Sequence, residues 1–340
     1  MKRLFITFIA SSLLSLSSHA DDGTFSYKPT FHGTIRGQYE YSTPTGDSRF
    51  MVRNARASVS GSALPKVGYF LQVDFCDRGK ILILDAYASV TPVKGLKLMA
   101  GQMRVPFDPD AARAPHAYFF ANRSFPSKTF GNLRAVGAKA SYSFQKFPLY
   151  LEAGAFDDTD KSDHTKWNEG LTYGAKAVWG KQQGWKPAVF FMSRVPQGAA
   201  NAVRINSSGI NVAWTDASWH LEGEYIYRHY TNCNFDASHA FYVFGNYGFP
   251  VKWPLANRFS VQARYDMMTS TSNGIRNDEG MVVETDPHKH RITVGATASY
   301  QRGIFHADYR LNFEQYFYKE TANPSPSDNS KLVAGVTVYF

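Results

Sequence analysis

The strongest constraint on the fold is a two-residue alternation of apolar and polar side chains that recurs along the chain. The clearest example is residues 305–313, where five apolar side chains alternate with four polar ones. Such a period indicates β-strands, because successive side chains of a strand point to opposite faces. In a soluble sandwich the apolar faces would form the core, whereas in a membrane barrel they would face lipid and the polar faces would line water. The alternation alone leaves both classes open.

The number of strands separates the two classes. Sixteen segments show strand character, and tight turns alternate with connections that are mostly longer: 30–42, 49–61, 66–76, 81–91, 95–104, 132–144, 148–157, 170–180, 186–194, 206–216, 218–230, 238–249, 257–268, 288–301, 303–318 and 330–340. Bacterial outer-membrane barrels have an even strand count, short periplasmic turns and longer external loops. No segment reads as a linker. We therefore predict an all-β fold, a single transmembrane antiparallel β-barrel of about sixteen strands.

The N-terminus indicates export. Lys2 and Arg3 precede a short apolar stretch from Leu4 to Leu16, and Ser18-His19-Ala20 fits a small-x-small cleavage site. We predict that residues 1–20 are a cleaved signal peptide and that residues 21–340 form the barrel in the bacterial outer membrane. No segment approaches the roughly 20 consecutive apolar residues of a transmembrane helix.

Composition supports a barrel and narrows the partners. The chain contains 6 Trp, 20 Tyr and 26 Phe, and barrels use aromatic residues as girdles at the headgroups. The net charge of +9 fits anionic solutes, lipopolysaccharide phosphates or no specific partner, and export argues against nucleic acid. Cys76 and Cys233 form neither a disulfide framework nor a metal motif. We expect no cofactor and no metal.

The connection after the fifth strand, residues 105–131, is exceptionally long. It contains six aromatic side chains that require burial: Phe107, Tyr118, Phe119, Phe120, Phe125 and Phe130. Long loops in compact folds are usually functional or disordered, and disorder would leave these side chains in water. We predict that this third loop folds inward and narrows the pore.

Short motifs in the first half of the chain resemble a known family. They are Arg53-Asn54-Ala55-Arg56 leading to Gly61, Asp85-Ala86-Tyr87, Gly101-Gln102 and Pro106-Phe107, and the terminal Phe340 agrees with them. Over residues 30–145 the chain is similar to the phosphate-selective porins of the O and P type, whereas residues 150–290 carry no recognisable signature. The resemblance implies a sixteen-stranded barrel, usually a homotrimer, whose third loop forms the constriction. It also implies that basic side chains in the channel attract phosphate or other small anions.

The charges of the predicted wall are balanced, whereas those of the third loop are not. The predicted water-facing sides of the strands carry nine basic and nine acidic side chains. The basic ones are Arg36, Arg56, Lys97, Lys139, Lys176, Arg228, Arg264, Arg291 and Arg310. The acidic ones are Glu40, Asp74, Asp85, Glu152, Glu222, Glu224, Asp266, Asp308 and Glu314. Basic groups at a constriction favour anions. The candidate anion site comprises the loop cations Arg113, Arg123 and Lys128, with Arg104, Arg36 and Arg56 on the wall. The alternative is that these are solvated charges.

Other functions remain less favoured. Ser272-Asn273-Gly274 is similar to part of a barrel-phospholipase motif but lacks the preceding His, and a Ser nucleophile needs an adjacent base. The acidic run Asp157, Asp158, Asp160 and Asp163 with His164 is more typical of a solvated loop than of a barrel protease. We assign no catalytic residue. A non-selective porin and, less favoured, a barrel lipase or protease remain as alternatives.

Overall fold

The computed structural model describes residues 26–77, 79–131, 133–157, 167, 170–196, 201–319, 324 and 326–340. The predicted signal peptide, residues 1–20, and most of the acidic run, from Asp158 to His164, lie outside the described residues. No helix among the described residues is long and apolar enough to cross a membrane.

The described residues form sixteen antiparallel strands in one closed barrel, in which each strand pairs with its neighbours in sequence and β1 pairs with β16. The predicted sixteen-stranded barrel is confirmed, and every predicted segment overlaps one strand. The strands are β1 Thr30–Ser42, β2 Ser48–Leu64, β3 Val67–Asp77, β4 Lys80–Val90, β5 Leu96–Arg104, β6 Arg134–Ser143, β7 Leu149–Asp157, β8 Leu171–Trp179, β9 Gly184–Arg194, β10 Ile205–Thr215, β11 Trp219–Tyr230, β12 Ser238–Trp253, β13 Ala256–Met268, β14 Lys289–Arg302, β15 Phe305–Tyr318 and β16 Lys331–Tyr339.

The two-residue period places polar side chains inside the barrel and apolar side chains outside. In β11, Glu222 and Glu224 are buried, whereas the flanking Leu221 and Tyr225 are exposed. This pattern is the reverse of a soluble protein, because the outer face meets lipid and the lumen meets water and the inward loop. The tight turns lie at the end that carries both termini, the periplasmic end of an even-stranded barrel. At the other end the β1–β2 and β3–β4 connections are also short, whereas the remaining connections there are longer.

The third loop lies inside the barrel, as predicted. It contains a short helix α1, Pro109–Ala112, a 3₁₀ turn at Pro115–Ala117 and a π-helical turn at Pro126–Gly131. Asp108 caps α1, because its side chain accepts a hydrogen bond from the Ala111 amide at 3.0 Å.

The loop is packed against an apolar patch on the inner wall, which the sequence analysis did not predict. Phe107, Phe125 and Phe130 of the loop are buried together with wall side chains that include Phe190 and Met268. The rings of Phe107 and Phe190 meet edge to face, with centroids 4.8 Å apart. Burying these side chains inside the barrel fixes the loop in the lumen through the hydrophobic effect.

Close strand approach depends on Gly101, part of the Gly101-Gln102 motif. Its φ of +133° lies in a region that disfavours other residues, and an added Cβ would lie 2.3 Å from the Ala86 carbonyl oxygen. By contrast, a Cβ on Gly37 would meet only Val336 at an ordinary 3.6 Å.

We therefore expect Gly101→Ala to destabilise the barrel by at least about 1–3 kcal/mol, because the new methyl group meets backbone that cannot yield. The urea concentration at which half of the protein is unfolded should be lower for Gly101→Ala than for the parent, and the folded fraction can be measured by heat-modifiable gel migration. Gly37→Ala should unfold near the parent's midpoint. Equal midpoints for the two variants would show that the approach at Gly101 is not tight.

Candidate functional site at the third loop

The third loop crosses the lumen and is held by the far wall. The Arg36 guanidinium donates to the Ala121 carbonyl at 2.6 Å, and the Ala121 amide donates to the Asn312 side chain at 2.7 Å. Gln262 donates to the Phe119 carbonyl at 2.9 Å. These contacts tie one loop to β1, β13 and β15, which closes off part of the lumen.

A buried ionic group strengthens this attachment. The Asp266 carboxylate accepts a hydrogen bond from the Phe125 amide at 2.9 Å and pairs with Arg291 at 2.6 Å. Arg291 also pairs with Glu314 at 3.2 Å and donates to the Arg123 carbonyl at 2.7 Å. Removing one partner of such a buried group leaves an uncompensated charge and costs about 3–5 kcal/mol. This group is therefore the main polar anchor of the loop.

Tyr118 and Phe119 of the loop separate two cavities in the lumen. The cavity towards the periplasmic turns is lined by both side chains and by wall residues such as Asp308. A smaller cavity on the loop side is lined by the same two side chains and by Ser124. The two aromatic residues thus line both cavities.

Four of the six predicted site residues surround Tyr118, and we call Arg36, Arg56, Arg104 and Arg123 the arginine cluster. The guanidinium carbons of Arg36 and Arg123 lie 5.1 and 4.6 Å from the Tyr118 ring centroid. Burial alone would raise the pKa of the Tyr118 phenol. The positive charges of Arg123, Arg56, Arg104 and Arg36 outweigh that effect, so this pKa lies below its ordinary value.

The arginine cluster keeps positive charge that carboxylates do not neutralise. Arg56 pairs with Asp74 at 2.8 Å. Arg123 donates to loop carbonyls at 3.0–3.3 Å, and Arg36 donates to Asn54 and to a loop carbonyl. In the described part of the chain, neither Arg36 nor Arg123 has a carboxylate within ion-pair distance. Neutral carbonyls orient these groups without cancelling their charge.

The other two predicted residues are neutralised by carboxylates, although Arg113 lines the smaller cavity together with Tyr118 and Arg123. Arg113 forms ion pairs with Asp110 and with the buried Glu222 of β11, so it joins the loop to the wall. Lys128 is 54% exposed and pairs with Asp328 at 2.8 Å, away from Tyr118. The positive charges of Arg113 and Lys128 are therefore neutralised by carboxylates and do not add to the charge of the arginine cluster.

The wall carries equal numbers of basic and acidic side chains, but ion pairing leaves more of the basic ones without a partner of opposite charge. Of the nine wall carboxylates, all described, eight form ion pairs and Glu224 does not. Of the nine wall cations, all described as well, Arg36, Lys97 and Arg228 have no carboxylate partner. Counting residues treats every charge alike, whereas contact decides which charges a solute meets.

Glu224 of β11 lies near Asp108 of the loop, and neither Asp108 Oδ2 nor Glu224 Oε1 has a hydrogen-bond partner among the described residues. A proton on either carboxyl group would supply the donor for a hydrogen bond between the two. Burial, followed by the negative charge of Asp110, raises the pKa of Asp108 to about 6. The protonated form therefore favours attachment of the loop.

Sequence reasoning missed Tyr118 as a site residue, although an aromatic side chain within an arginine-rich loop was a usable signal. It also missed the anchoring role of Asp266 and Arg291, since strand parity shows which face they occupy but not what they hold. The described residues contain no group of three or more metal-ligating side chains. Within that same portion, Ser272 makes no hydrogen bond to a histidine.

A closed sixteen-stranded barrel with a loop across its lumen is the architecture of an outer-membrane porin. Solved porins share it. Salmonella typhi OmpF in complex with daunomycin has a TM-score of 0.63 and 14% identity over 92% of this chain and 98% of that chain. An anion-selective porin from Comamonas acidovorans has a TM-score of 0.60 and 13% identity over 92% and 99%. At such identities the likeness concerns the fold alone.

The family follows from the sequence itself. The model of the family "phosphate-selective porin O and P" matches residues 25–201, just over half of the chain. The chain therefore belongs to the phosphate-selective porin O and P family, and its fold and family are those of an outer-membrane channel. No curated protein sequence matches the chain.

We expect Asp266→Asn to loosen the loop, because it leaves Arg291 without its closest carboxylate and weakens the acceptor of the Phe125 amide. Single-channel conductance in planar bilayers should become larger or should fluctuate between levels. Lys128→Gln is the control, since its exposed ion pair contributes at most about 1 kcal/mol. If both variants conduct like the parent, the buried ionic group does not hold the loop.

The pKa of Asp108 predicts a pH dependence of loop attachment. A carboxyl group whose pKa is raised on folding contributes stability below its unfolded value, and that stability is lost as the pH rises through about 6. Each pKa unit corresponds to about 1.4 kcal/mol. We expect conductance fluctuations to increase as the pH rises from about 4 to about 6.5, between the ordinary and the raised pKa of Asp108.

Asp108→Asn is the matching variant, because it keeps the oxygen that caps α1 but cannot ionise. Its conductance should vary less with pH than the parent's over the same range. A parent-like pH profile in this variant would rule out Asp108 as the group that titrates.

Proposed function

We propose that this porin is a passive channel for small hydrophilic solutes that prefers small anions such as phosphate. The observation that carries the proposal is the arginine cluster around Tyr118 in the inward-folded third loop, which we propose forms the constriction. Arg36 and Arg123 lie there without a carboxylate partner among the described residues. An anion that passes the constriction thus meets positive charge that no neighbouring side chain cancels.

Charge at a narrow point acts strongly because the low-dielectric wall focuses the field. Two unit charges 4 Å apart interact by roughly 1 kcal/mol in water and by about 4 kcal/mol at an effective dielectric of 20. A water-filled constriction lies near the lower limit, where about 1 kcal/mol per cation changes relative anion occupancy by roughly fivefold, and about 1.4 kcal/mol corresponds to a tenfold change. Guanidinium groups also match the oxygens of phosphate in a planar, bidentate arrangement.

The comparisons support this proposal. The family is described as phosphate-selective, and a porin of the same fold from Comamonas acidovorans is anion-selective. A solved form of Vibrio cholerae OmpT with this fold is a trimer. We propose that the present chain, after removal of residues 1–20, forms a homotrimer whose outer faces contact outer-membrane lipid and lipopolysaccharide.

A general, non-selective porin is the second candidate. The extensive ion pairing favours it, because Arg113 and Lys128 are both neutralised and eight of the nine wall carboxylates are paired. In that case the arginine cluster would serve mainly to hold the loop. Selectivity measurements on variants of the cluster separate the two candidates.

We expect the double variant Arg36→Gln, Arg123→Gln to lose most of the anion preference, because it removes the two unpaired charges beside Tyr118. Glutamine keeps an amide donor for the loop carbonyls. Reversal potentials in a KCl gradient should shift towards cation selectivity, with a change in permeability ratio of up to about tenfold per charge.

Lys128→Gln is again the control, since it removes one loop cation that is already paired outside the arginine cluster. It should keep the parent's reversal potential, and added phosphate should reduce the chloride current of the parent more than that of the double variant. A cation-selective parent, or a double variant with the parent's reversal potential, would refute the proposed role of the arginine cluster.

A further inference from the structure

Two histidines lie together on the outer face of the barrel at its external end. His288 immediately precedes β14, and His290 is the second residue of that strand. Even-numbered strands of this barrel begin at the external side, and His290 shares the outward face with the exposed Ile292. The Nε2 atoms of the two imidazoles are 2.9 Å apart.

This separation fits two ligands of one metal ion. Imidazole nitrogens bind first-row metals at about 2.0–2.1 Å. Two such nitrogens in adjacent positions of a square-planar or octahedral ion, at 90°, are therefore about 2.9 Å apart. A tetrahedral ion would need them roughly 3.3–3.4 Å apart. Tetragonal geometry with nitrogen ligands is typical of Cu²⁺ and Ni²⁺.

Tyr265 of the adjacent strand orients one of the two rings. Its hydroxyl oxygen lies 2.6 Å from His290 Nδ1. When Nδ1 donates its proton to that oxygen, the lone pair of Nε2 points towards His288. A partner of this kind on the far nitrogen fixes the tautomer and the orientation of metal-binding histidines.

We propose that His288 and His290 form a two-histidine site for a divalent transition-metal ion at the external rim, with Cu²⁺ preferred. Cu²⁺ heads the order of affinities for divalent first-row ions at a given nitrogen site. Water completes the coordination, since the described residues supply no third side-chain ligand. The site is independent of the channel and of its selectivity.

The chain contains a matched control for this pair. His239 is the second residue of β12, as His290 is of β14, and its Nδ1 lies 2.7 Å from the Tyr225 hydroxyl. Its other neighbour is the Tyr227 ring, with centroids 5.4 Å apart, instead of a second imidazole. His239 thus has the orienting tyrosine but lacks the second ligand.

The test is Cu²⁺ binding to the full barrel in detergent, without a histidine tag and with Cys76 and Cys233 blocked. Calorimetry should give one ion per chain, and electron paramagnetic resonance should show nitrogen coordination. His288→Ala and His290→Ala should each weaken binding at least tenfold, whereas His239→Ala should bind as the parent does. Tyr265→Phe should weaken binding to a smaller extent.

Heat-modifiable migration establishes that each variant is folded. The proposal is overturned if the parent binds no Cu²⁺, or if His290→Ala and His239→Ala bind with the same affinity. In either case the short separation would be a hydrogen bond between two imidazoles and nothing more. If a variant fails to fold, His288→Gln and His290→Gln repeat the comparison with a smaller change in side-chain volume.

Discussion

Backbone hydrogen bonding inside the membrane is the constraint on which the structure depends. Lipid offers no partner for an exposed amide or carbonyl, so a membrane-spanning sheet must have no free edge. Pairing of β1 with β16 closes the barrel, and the Gly33 and Phe340 backbones extend that closure with two hydrogen bonds of 2.6 and 3.0 Å. Closure of the barrel encloses a lumen, and the passage of solutes then depends on what occupies that lumen.

The third loop occupies part of the lumen and is held there by both apolar and charged contacts with the wall. Phe107, Phe125 and Phe130 bury apolar surface against the inner wall, while Asp266 and Arg291 hold the loop backbone through charged hydrogen bonds. Apolar burial is strong but non-directional, whereas charged hydrogen bonds are directional and fix the position of the loop. Together they hold the loop across the lumen and place Tyr118 between two cavities.

The candidate site could be predicted only in part from the sequence. Membership of the third loop and strand parity identified Arg36, Arg56, Arg104 and Arg123, which the structure brings together. They could not show that Arg113 pairs with Glu222 or Lys128 with Asp328, because these partners are distant in sequence. Charge in a pore depends on which side chains touch, and a residue count carries no such information.

The sequence by itself determined the all-β class, the sixteen strands and the inward face of the charged wall side chains, but not the apolar patch of the inner wall. It could do so because the period of a strand and the length needed to cross a bilayer are local properties. Tertiary structure alone decided where the third loop attaches, which charges remain unpaired beside Tyr118 and that His288 meets His290 at 2.9 Å. These features depend on strand register and on contacts between distant segments, which exist only once the barrel has closed.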